Sequence, residues 1–219
     1  TVKGIVPKSL INTIENRWFT SGANAPSEVI PYAGGFCTMS PDMIFSIGSV
    51  EFAVELGEDI WAPVPPSSHH VLQGAHIIVN LSADKEVLMR NEYRNDLLKA
   101  HSAKTICGYV YASAGFGEST CDNVYAGAAS IWENGLKLAE NERFQSKSSM
   151  TIADIDIEKL EHIRRKSASF RNISPTGTDA SSYYRSYERR SLGTPYETDF
   201  EKELLRYVEP HPFVPEEDI

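Results

Sequence analysis

Apolar and polar residues alternate along the stretch from Val50 to Leu56. One face of this stretch carries apolar side chains and the other carries two carboxylates, an alanine and a glycine: Val50, Phe52, Val54 and Leu56 against Glu51, Ala53, Glu55 and Gly57. A period of two predicts a β-strand whose two faces meet different environments. Gly57 ends this strand, directly before Glu58 and Asp59 and a proline-rich turn.

Strands and helices are predicted to alternate through the middle of the chain. Turn signals at residues 65–68 open a short helix that ends near Gly74, and a continuous apolar strand follows at 75–83. Helical spacing runs over residues 90–105, and residues 106–115 again have the composition of a strand. This order of elements is the signature of an α/β layer.

The two ends of the chain predict simpler structure. The opening run TVKGIVPK predicts a short strand that stops at Lys8, and residues 21–42 predict a loop with short strand pieces. The pair Asn134-Gly135 between two apolar runs predicts a hairpin, and residues 149–170 predict one more strand that passes into a helix. Residues 171–219 have no period and are interpreted as an extended C-terminal arm or linker.

Composition and charge narrow the class of function. The chain has 219 residues, 41% hydrophobic and 23% charged, which predicts one sizeable domain with a tail. A net charge of -9 opposes binding to nucleic acid or to an anionic membrane. No apolar run reaches the roughly 20 residues of a bilayer span, and no signal-peptide pattern is found, so we expect a cytosolic protein that acts on small molecules.

The cysteine and histidine patterns argue against a metal site. The three cysteines are far apart in the sequence: Cys37, Cys107 and Cys121. Without a C-x-x-C pair they fit reduced core thiols better than a disulfide framework or a zinc site. His69 and His70 are adjacent, so they point apart on a helix and do not easily chelate one metal. The glycine-rich segment 113–120 lacks the G-K-[ST] ending of a phosphate loop and is interpreted as a tight turn.

Several charged residues allow two interpretations from the residues alone. Lys8 is either an ordinary surface lysine or a strand-tip lysine that stabilises a developing oxyanion, because a fixed charge in a dry cleft is worth several times its value in water. Glu58 and Asp59 are either helix or turn caps or part of a site. The run Glu15–Phe19 also fits a solvated helix with an aromatic anchor.

Taken together, the segments resemble one family: the glutamine-hydrolysing amidotransferase domain of glutamine-dependent NAD synthetase, a branch of the nitrilase-like carbon-nitrogen hydrolases. The resemblance is carried, in the family's order, by GIVPKS, ENRWF, FAVELGEDIWAPVPPSSHHVLQGAHIIVNLSA, HSAKTICGYVYASAGFGEST, IWENG and IADIDIEKL. It implies that residues 1–170 form an α/β fold, the four-layer αββα sandwich of this family, with its N-terminal part missing. The arm at 171–219 resembles the connector to an ATP-using synthetase domain.

The resemblance also implies which residues form the site. The family uses a Glu-Lys-Cys triad, in which cysteine attacks the glutamine amide, glutamate takes the thiol proton and lysine stabilises the oxyanion. Lys8 matches the triad lysine, Glu15 matches a second, supporting glutamate, and Gly57 occupies the nucleophile's position. Four further residues match positions around the glutamine pocket: Glu58, Trp61, Asp84 and Arg90. A guanidinium at position 90 suits the α-carboxylate of glutamine, whereas position 84 is often a small polar residue in the family.

Three departures from the family pattern bear on activity. Gly57 stands where the pattern E-[IL]-C-E-D has its cysteine, and glycine cannot form a thioester. The family's general-base glutamate belongs to a segment that precedes Thr1, and the stretch from Lys8 to Glu15 is shorter than in the family. We therefore expect a glutaminase domain that does not hydrolyse glutamine as it stands.

Cofactors and partners are implied by the same resemblance. No cofactor or metal is expected in this domain, and ATP and Mg²⁺ are expected only in the synthetase domain. The expected partners are L-glutamine, a synthetase domain that receives ammonia, and further copies of the chain in a homo-oligomer. The alternative is a non-catalytic nitrilase-fold scaffold or oligomerisation module, motivated by Gly57 and by the tyrosine-rich segment 181–187. An absent N-terminal part would also leave an open strand edge, which predicts poor solubility.

Overall fold

A computed structural model gives the structure of residues 2–12, 14–115, 117–118, 123–173, 187–194 and 203–208. Two short 3-10 helices lie at Glu15–Arg17 and Gly57–Trp61. The other elements, in chain order, are β1 (Glu28–Tyr32), β2 (Gly35–Met39), β3 (Met43–Ile47), β4 (Val50–Leu56), α1 (Pro66–Leu72), β5 (Ile77–Ser82), α2 (Arg90–Thr105), β6 (Gly108–Ser113), β7 (Ala129–Glu133), β8 (Leu136–Glu140), α3 (Ile157–Lys166), α4 (Ala168–Ile173) and β9 (Glu188–Ser191).

Seven of these strands form one mixed sheet in the order β8-β7-β6-β5-β4-β3-β9, while β1 and β2 form a separate hairpin. The three central strands, β4, β5 and β6, are parallel. Helix α1 connects β4 to β5 and α2 connects β5 to β6, so both crossovers step the same way across the sheet. Right-handed crossovers therefore place α1 and α2 on the same face. Across the described ranges, every helix lacks the length and apolar content needed to cross a membrane.

The core lies between this face of the sheet and the two crossover helices. A buried row of side chains in register on four strands packs against one residue from each helix: Ala53, Ile78, Tyr109 and Trp132 against Val71 and Leu98. Burial of a large apolar side chain contributes about 1.5–3 kcal/mol, so this row is a main source of stability. The next row on the same face is buried but polar: Glu55, Asn80, Tyr111 and Ser130. The face of β4 that carries Ala53 and Glu55 is thus its buried face.

The opposite face of the sheet is apolar and only partly covered. Val54, Val79 and Val110 stand side by side on the three parallel strands, and all three are half-buried. Leu81 lies two residues beyond Val79 and is 56% exposed. The prediction that the two faces of β4 meet different environments is therefore confirmed, but the more apolar face is the less buried one.

Several predicted elements are confirmed. The helix predicted at 90–105 is α2, with the same bounds. Asn134 and Gly135 join β7 to β8 with φ values of 45° and 85°, the left-handed pair that a two-residue hairpin turn needs. The short strand pieces predicted within 21–42 form the hairpin of β1 and β2.

Two predicted strands are wrong. The opening run is extended, but it makes only an isolated bridge, at Ile5. Residues 151–156 do not join the sheet, because their backbone groups have other partners. The Asp156 amide donates to a carboxylate oxygen of Glu133 at 2.7 Å. The Asp154 amide donates to the carbonyl of residue 205 at 3.3 Å.

Part of the segment 171–219, predicted as an extended arm, is folded onto the domain. Strand β9 pairs with β3 at one edge of the sheet, and the Tyr187 hydroxyl lies 3.0 Å from Nδ1 of His70. Near the other edge, the Arg206 guanidinium donates to both oxygens of the buried Glu133 carboxylate, at 2.7 and 3.0 Å. The boundary between 1–170 and 171–219 stays a prediction, and residues 181–186 lie outside the described part.

Candidate functional site

Gly57 lies at the carboxyl end of β4, where the strand turns into the 3-10 helix. Its φ of +56° is in the left-handed region, which favours glycine because a side chain crowds the backbone there. A Cβ built on Gly57 would have Cε and Nζ of Lys8 as its nearest neighbours, both at 3.5 Å. That is an ordinary van der Waals distance, so a side chain at this position would point at the lysine ammonium without a clash.

Lys8 is held in place by Glu15. The Lys8 ammonium donates to both oxygens of the Glu15 carboxylate, at 2.6 and 2.7 Å, and the Asn12 amide donates to the same carboxylate at 2.9 Å. Burial alone would raise the pKa of Glu15, but the bonds from Lys8 and Asn12 and the charge of Lys8 lower it. The ammonium is therefore fixed beside position 57, as an oxyanion-stabilising group requires.

Asp59 ties the lysine segment to the turn at Gly57. Its buried carboxylate accepts from the Leu10 amide at 2.7 Å and from the Leu56 amide at 3.0 Å. One of these amides is two residues after Lys8 and the other is directly before Gly57. Burial raises the pKa of Asp59, while the backbone amides oppose the rise. The carboxylate thus sets the distance between two segments that are far apart in sequence.

A buried polar network supports the turn from the helix side of the sheet. Tyr109 donates to the Glu55 carboxylate, which also accepts from the Ser67 amide at 3.0 Å. The Asn80 amide nitrogen donates to the Tyr109 hydroxyl at 3.1 Å and to the Gly57 carbonyl at 3.4 Å. Burial raises the pKa of both Glu55 and Tyr109. Through Asn80 the network contacts the backbone carbonyl of Gly57, so it stabilises the turn from the helix-covered face of the sheet.

A second cluster is built around Arg90. Its guanidinium lies over the Trp61 ring, with Cζ 3.6 Å from the ring centroid, which is a close cation–π contact. Nε donates to the two oxygens of Asp84 at 3.0 and 3.1 Å, and Nη2 donates to one of them at 2.7 Å. Arg94 donates to the same carboxylate at 3.1 Å. Trp61, Asp84 and Arg90 therefore form one contact unit.

The two clusters are connected through one 3-10 helix. Gly57 begins this helix and Trp61 ends it. At about 2 Å of rise per residue the two positions are about 8 Å apart along the axis. Asp84 follows β5 just as Gly57 follows β4, so both clusters lie at the carboxyl ends of parallel strands, where ligands bind in open α/β sheets. Glu58, on the same helix, is exposed.

Neither of the two described cysteines is a neighbour of position 57. Cys37 lies on β2 and Cys107 lies directly before β6, and both are buried. Burial raises the pKa of the Cys107 thiol to about 11, so it is protonated near neutral pH. Cys121 lies outside the described residues. Among the residues that the structure describes, no cluster of histidine, cysteine and carboxylate side chains suits a metal ion.

The structure brings most of the predicted site residues together in two groups: Lys8, Glu15 and Gly57 in one, and Trp61, Asp84 and Arg90 in the other. The roles assigned to them stay predictions. Sequence reasoning missed Asn80 and the buried function of Glu55 and Asp59. A carboxylate on a strand that pairs with two other strands was a usable signal for Glu55, since a buried charge needs partners.

Curated proteins similar in sequence to this chain are glutamine-dependent NAD(+) synthetases. No family model matches the chain. The glutamine-dependent NAD(+) synthetase of Mycobacterium bovis is 34% identical over 221 residues, which cover 98% of this chain and 32% of that protein. The chain thus spans about a third of the length of the curated relatives it matches.

Solved structures support the fold. The glutamine-dependent NAD(+) synthetase of Cytophaga hutchinsonii superposes with a TM-score of 0.59 at 24% identity, over 68% of this chain and 24% of that one. A carbon-nitrogen hydrolase from Helicobacter pylori superposes with a TM-score of 0.51 at 17% identity, over 67% of this chain and 56% of that one. The predicted α/β fold of the nitrilase-like carbon-nitrogen hydrolases is therefore confirmed. In sequence, the chain is similar to glutamine-dependent NAD(+) synthetases, as the resemblance indicated.

Proposed function

We propose that the chain is the glutaminase domain of a glutamine-dependent NAD synthetase in which amide hydrolysis is blocked at the nucleophile. The observation that carries the proposal is the geometry at position 57: the direction in which a side chain would leave the backbone points at Lys8 Nζ, 3.5 Å from the Cβ position, and glycine supplies no sulfur there. The relatives at 34% identity are named for glutamine dependence.

The remaining residues support binding of an amide without its cleavage. In the family reaction, a thiolate attacks the amide carbon, the oxyanion forms beside lysine, ammonia leaves, and water hydrolyses the thioester. Here the Lys8 ammonium, fixed by Glu15, can donate to the amide oxygen of L-glutamine. Among the described residues no thiol is placed to form the first covalent bond, because residue 57 has none and the thiols of Cys37 and Cys107 are buried.

An assay of ammonia release from L-glutamine tests this proposal. We expect the purified chain to release no more ammonia from L-glutamine than buffer does. The matched control is Lys8→Ala, which removes the only assigned oxyanion donor. Turnover by the unaltered chain that exceeds buffer, and that Lys8→Ala abolishes, would overturn the proposal.

The wider role belongs to the same proposal. In an intact NAD synthetase, ammonia from the glutaminase domain passes to a synthetase domain that uses ATP and Mg²⁺, and this domain needs no cofactor of its own. We propose that domain as the partner of the present chain. The homo-oligomer and the cytosolic location stay predictions.

A non-catalytic scaffold is the second candidate. Its specific support is the half-covered apolar face of the sheet, where Val54, Val79 and Val110 form a row beside the exposed Leu81. Apolar patches of this kind mark association surfaces. Light scattering of the purified chain tests the candidate, since a clean monomer at high concentration rules out a self-assembling scaffold.

A further inference from the structure

Asp84 occupies the group that the proposed glutamine site would offer to a carboxylate. The Asp84 side chain is 4% exposed, and its carboxylate accepts from Arg90. The backbone amide of Asp84 donates to Ser113 Oγ at 3.1 Å, which fixes the main chain at this residue. Two of the three guanidinium nitrogens of Arg90, Nε and Nη2, take part in those bonds. This is the fork geometry in which arginine holds a carboxylate.

The neighbouring charges do not release Arg90 from this pairing. Arg94 also donates to Asp84, but Arg94 is buried and its Nη2 is bonded to Glu86 at 2.8 Å and to Asn91 at 2.9 Å. Arg143 donates to the second oxygen of Glu86 at 3.2 Å. Each guanidinium in this cluster therefore has a carboxylate partner, and Asp84 is the one that Arg90 uses.

Resting on the proposed function, we propose that Asp84 is a specificity-determining residue, which closes Arg90 to the carboxylate of a ligand. A second carboxylate that pairs with Nε or Nη2 of Arg90 must displace Asp84, and one that approaches Nη1 comes near the Asp84 carboxylate, where like charges repel in a partly buried site. The site then gains little from the α-carboxylate of glutamine. Its ligand class is the primary amide, with or without a carboxylate.

A pair of ligands tests this without any substitution. L-Glutamine and 4-aminobutanamide share the amide, the chain and the amine, and only glutamine has the carboxylate. Binding of both to the intact chain is measured by calorimetry or by NMR titration. We expect the two dissociation constants to agree within about threefold, whereas an arginine open to the carboxylate would favour glutamine by about tenfold or more. A preference of that size in the unaltered chain overturns the inference.

Asp84→Ser then reopens the arginine. We expect glutamine to gain about tenfold over 4-aminobutanamide, and Arg90→Gln in the same background to abolish that gain. Asp96→Ser, which removes an exposed carboxylate of α2, is the matched control and leaves the ratio unchanged. Asp84→Asn keeps the size of the side chain and serves if Asp84→Ser does not fold.

The outcomes separate the inference from the proposed function. If both ligands bind and no Asp84 variant changes their ratio, the specificity role is wrong and the amide site stands. If neither ligand binds the unaltered chain or a folded Asp84 variant, the amide site and the inference fall together. A shift in the ratio that Arg90→Gln reverses supports both.

Discussion

The two halves of the candidate site are built in opposite ways. At the Lys8–Gly57 corner, residue 57 has no side chain, and the Cβ direction at this position points at the Lys8 ammonium, which Glu15 holds in place. At the Arg90 cluster every position carries a side chain, and the Arg90 guanidinium is paired with the buried carboxylate of Asp84. Under the proposed function, the first feature blocks a reaction step, and the second changes which ligands the pocket binds.

The comparison teaches that the geometry of a site and its reactive groups can be supplied by different residues. The corner is positioned by backbone amides and by a buried network, neither of which depends on a side chain at residue 57. The Arg90 cluster is positioned by its own charges, so replacing one of them alters both structure and recognition. Stability should therefore respond more strongly to changes in the charged cluster than to changes in the corner.

Arg94→Met should have the largest effect. Arg94 is 2% exposed and pairs with Asp84 and Glu86, so its removal leaves two buried carboxylates short of partners. We expect the free energy of unfolding to fall by about 3–5 kcal/mol in urea denaturation. The matched control is Arg165→Met, whose exposed pair with Glu161 should contribute less than about 1 kcal/mol. Equal losses in the two variants would contradict the central place of Arg94.

His101 should make stability depend on pH. Burial lowers its pKa from 6.5 to about 4, and its Nε2 lies 2.9 Å from Ser67 Oγ. The unfolded chain binds the extra proton between these two values, so the free energy of unfolding falls as the pH falls through this window. A difference of this size is worth about 3 kcal/mol.

Urea denaturation across pH 4 to 7, for the unaltered chain and for His101→Gln, isolates this contribution. Glu55 acts in the other sense, because burial raises its pKa and its folded form holds the proton more tightly. The difference between the two chains removes that background. If the two curves stay parallel over the whole range, His101 is not the titrating group.

Asp59→Asn should loosen the corner itself. The Leu10 and Leu56 amides both donate to the Asp59 carboxylate. The side-chain nitrogen of asparagine is itself a donor, so one of these two amides would lose its acceptor. We expect a loss of about 2 kcal/mol in the free energy of unfolding. Hydrogen exchange should also become faster at those two amides, more than at amides in β5. Asp96→Asn on the exposed surface of α2 is the control, and unchanged exchange at residues 10 and 56 would show that Asp59 does not join the two segments.

Gly57→Cys should have the smallest effect on the fold and a specific effect on reactivity. The left-handed φ of +56° costs a side chain about 1 kcal/mol, but no atom obstructs the Cβ. In a Cys121→Ser background, the new thiol should react with a disulfide reagent faster than Cys37 and Cys107, which are buried.

Lys8→Met tests the cause of that reactivity. A nearby ammonium favours the thiolate, so its removal should slow the reaction of Gly57→Cys by about tenfold at pH 7. Glu15 offsets part of the lysine charge, and Glu15→Gln should therefore change the rate in the opposite direction. A rate that is the same with and without Lys8 would mean that the corner is not arranged around position 57.

Local signals in the sequence predicted much of the fold. Helix α2 and the turn at Asn134-Gly135 follow from periodicity and turn chemistry, which act between neighbours in the chain. In the segment 149–170 the predicted helix is α3, but the strand predicted before it is wrong. The Asp154 and Asp156 amides find their partners in residues 205 and 133, at distances in sequence that periodicity does not cover. Strand β9 was missed for the same reason.

The candidate site was predicted through the resemblance, residue by residue. Position 57, Lys8 and Glu15 do meet, although no spacing rule links a strand end to a segment about 50 residues earlier. The support beneath them was not predicted. An alternating strand does not show which of its faces lies under the helices, and on β4 that face is the one with Glu55.

The contacts of Arg206 bear on where the chain can be truncated without loss of stability. It neutralises Glu133, a fully buried carboxylate at the hairpin edge of the sheet, together with Lys159 at 2.8 Å. A version trimmed at residue 170 would keep the lysine but lose the arginine, and it would also lose β9 from the other edge. Residues with the sequence pattern of a linker thus contact both edges of the sheet, and we expect the trimmed version to be less stable than the full chain.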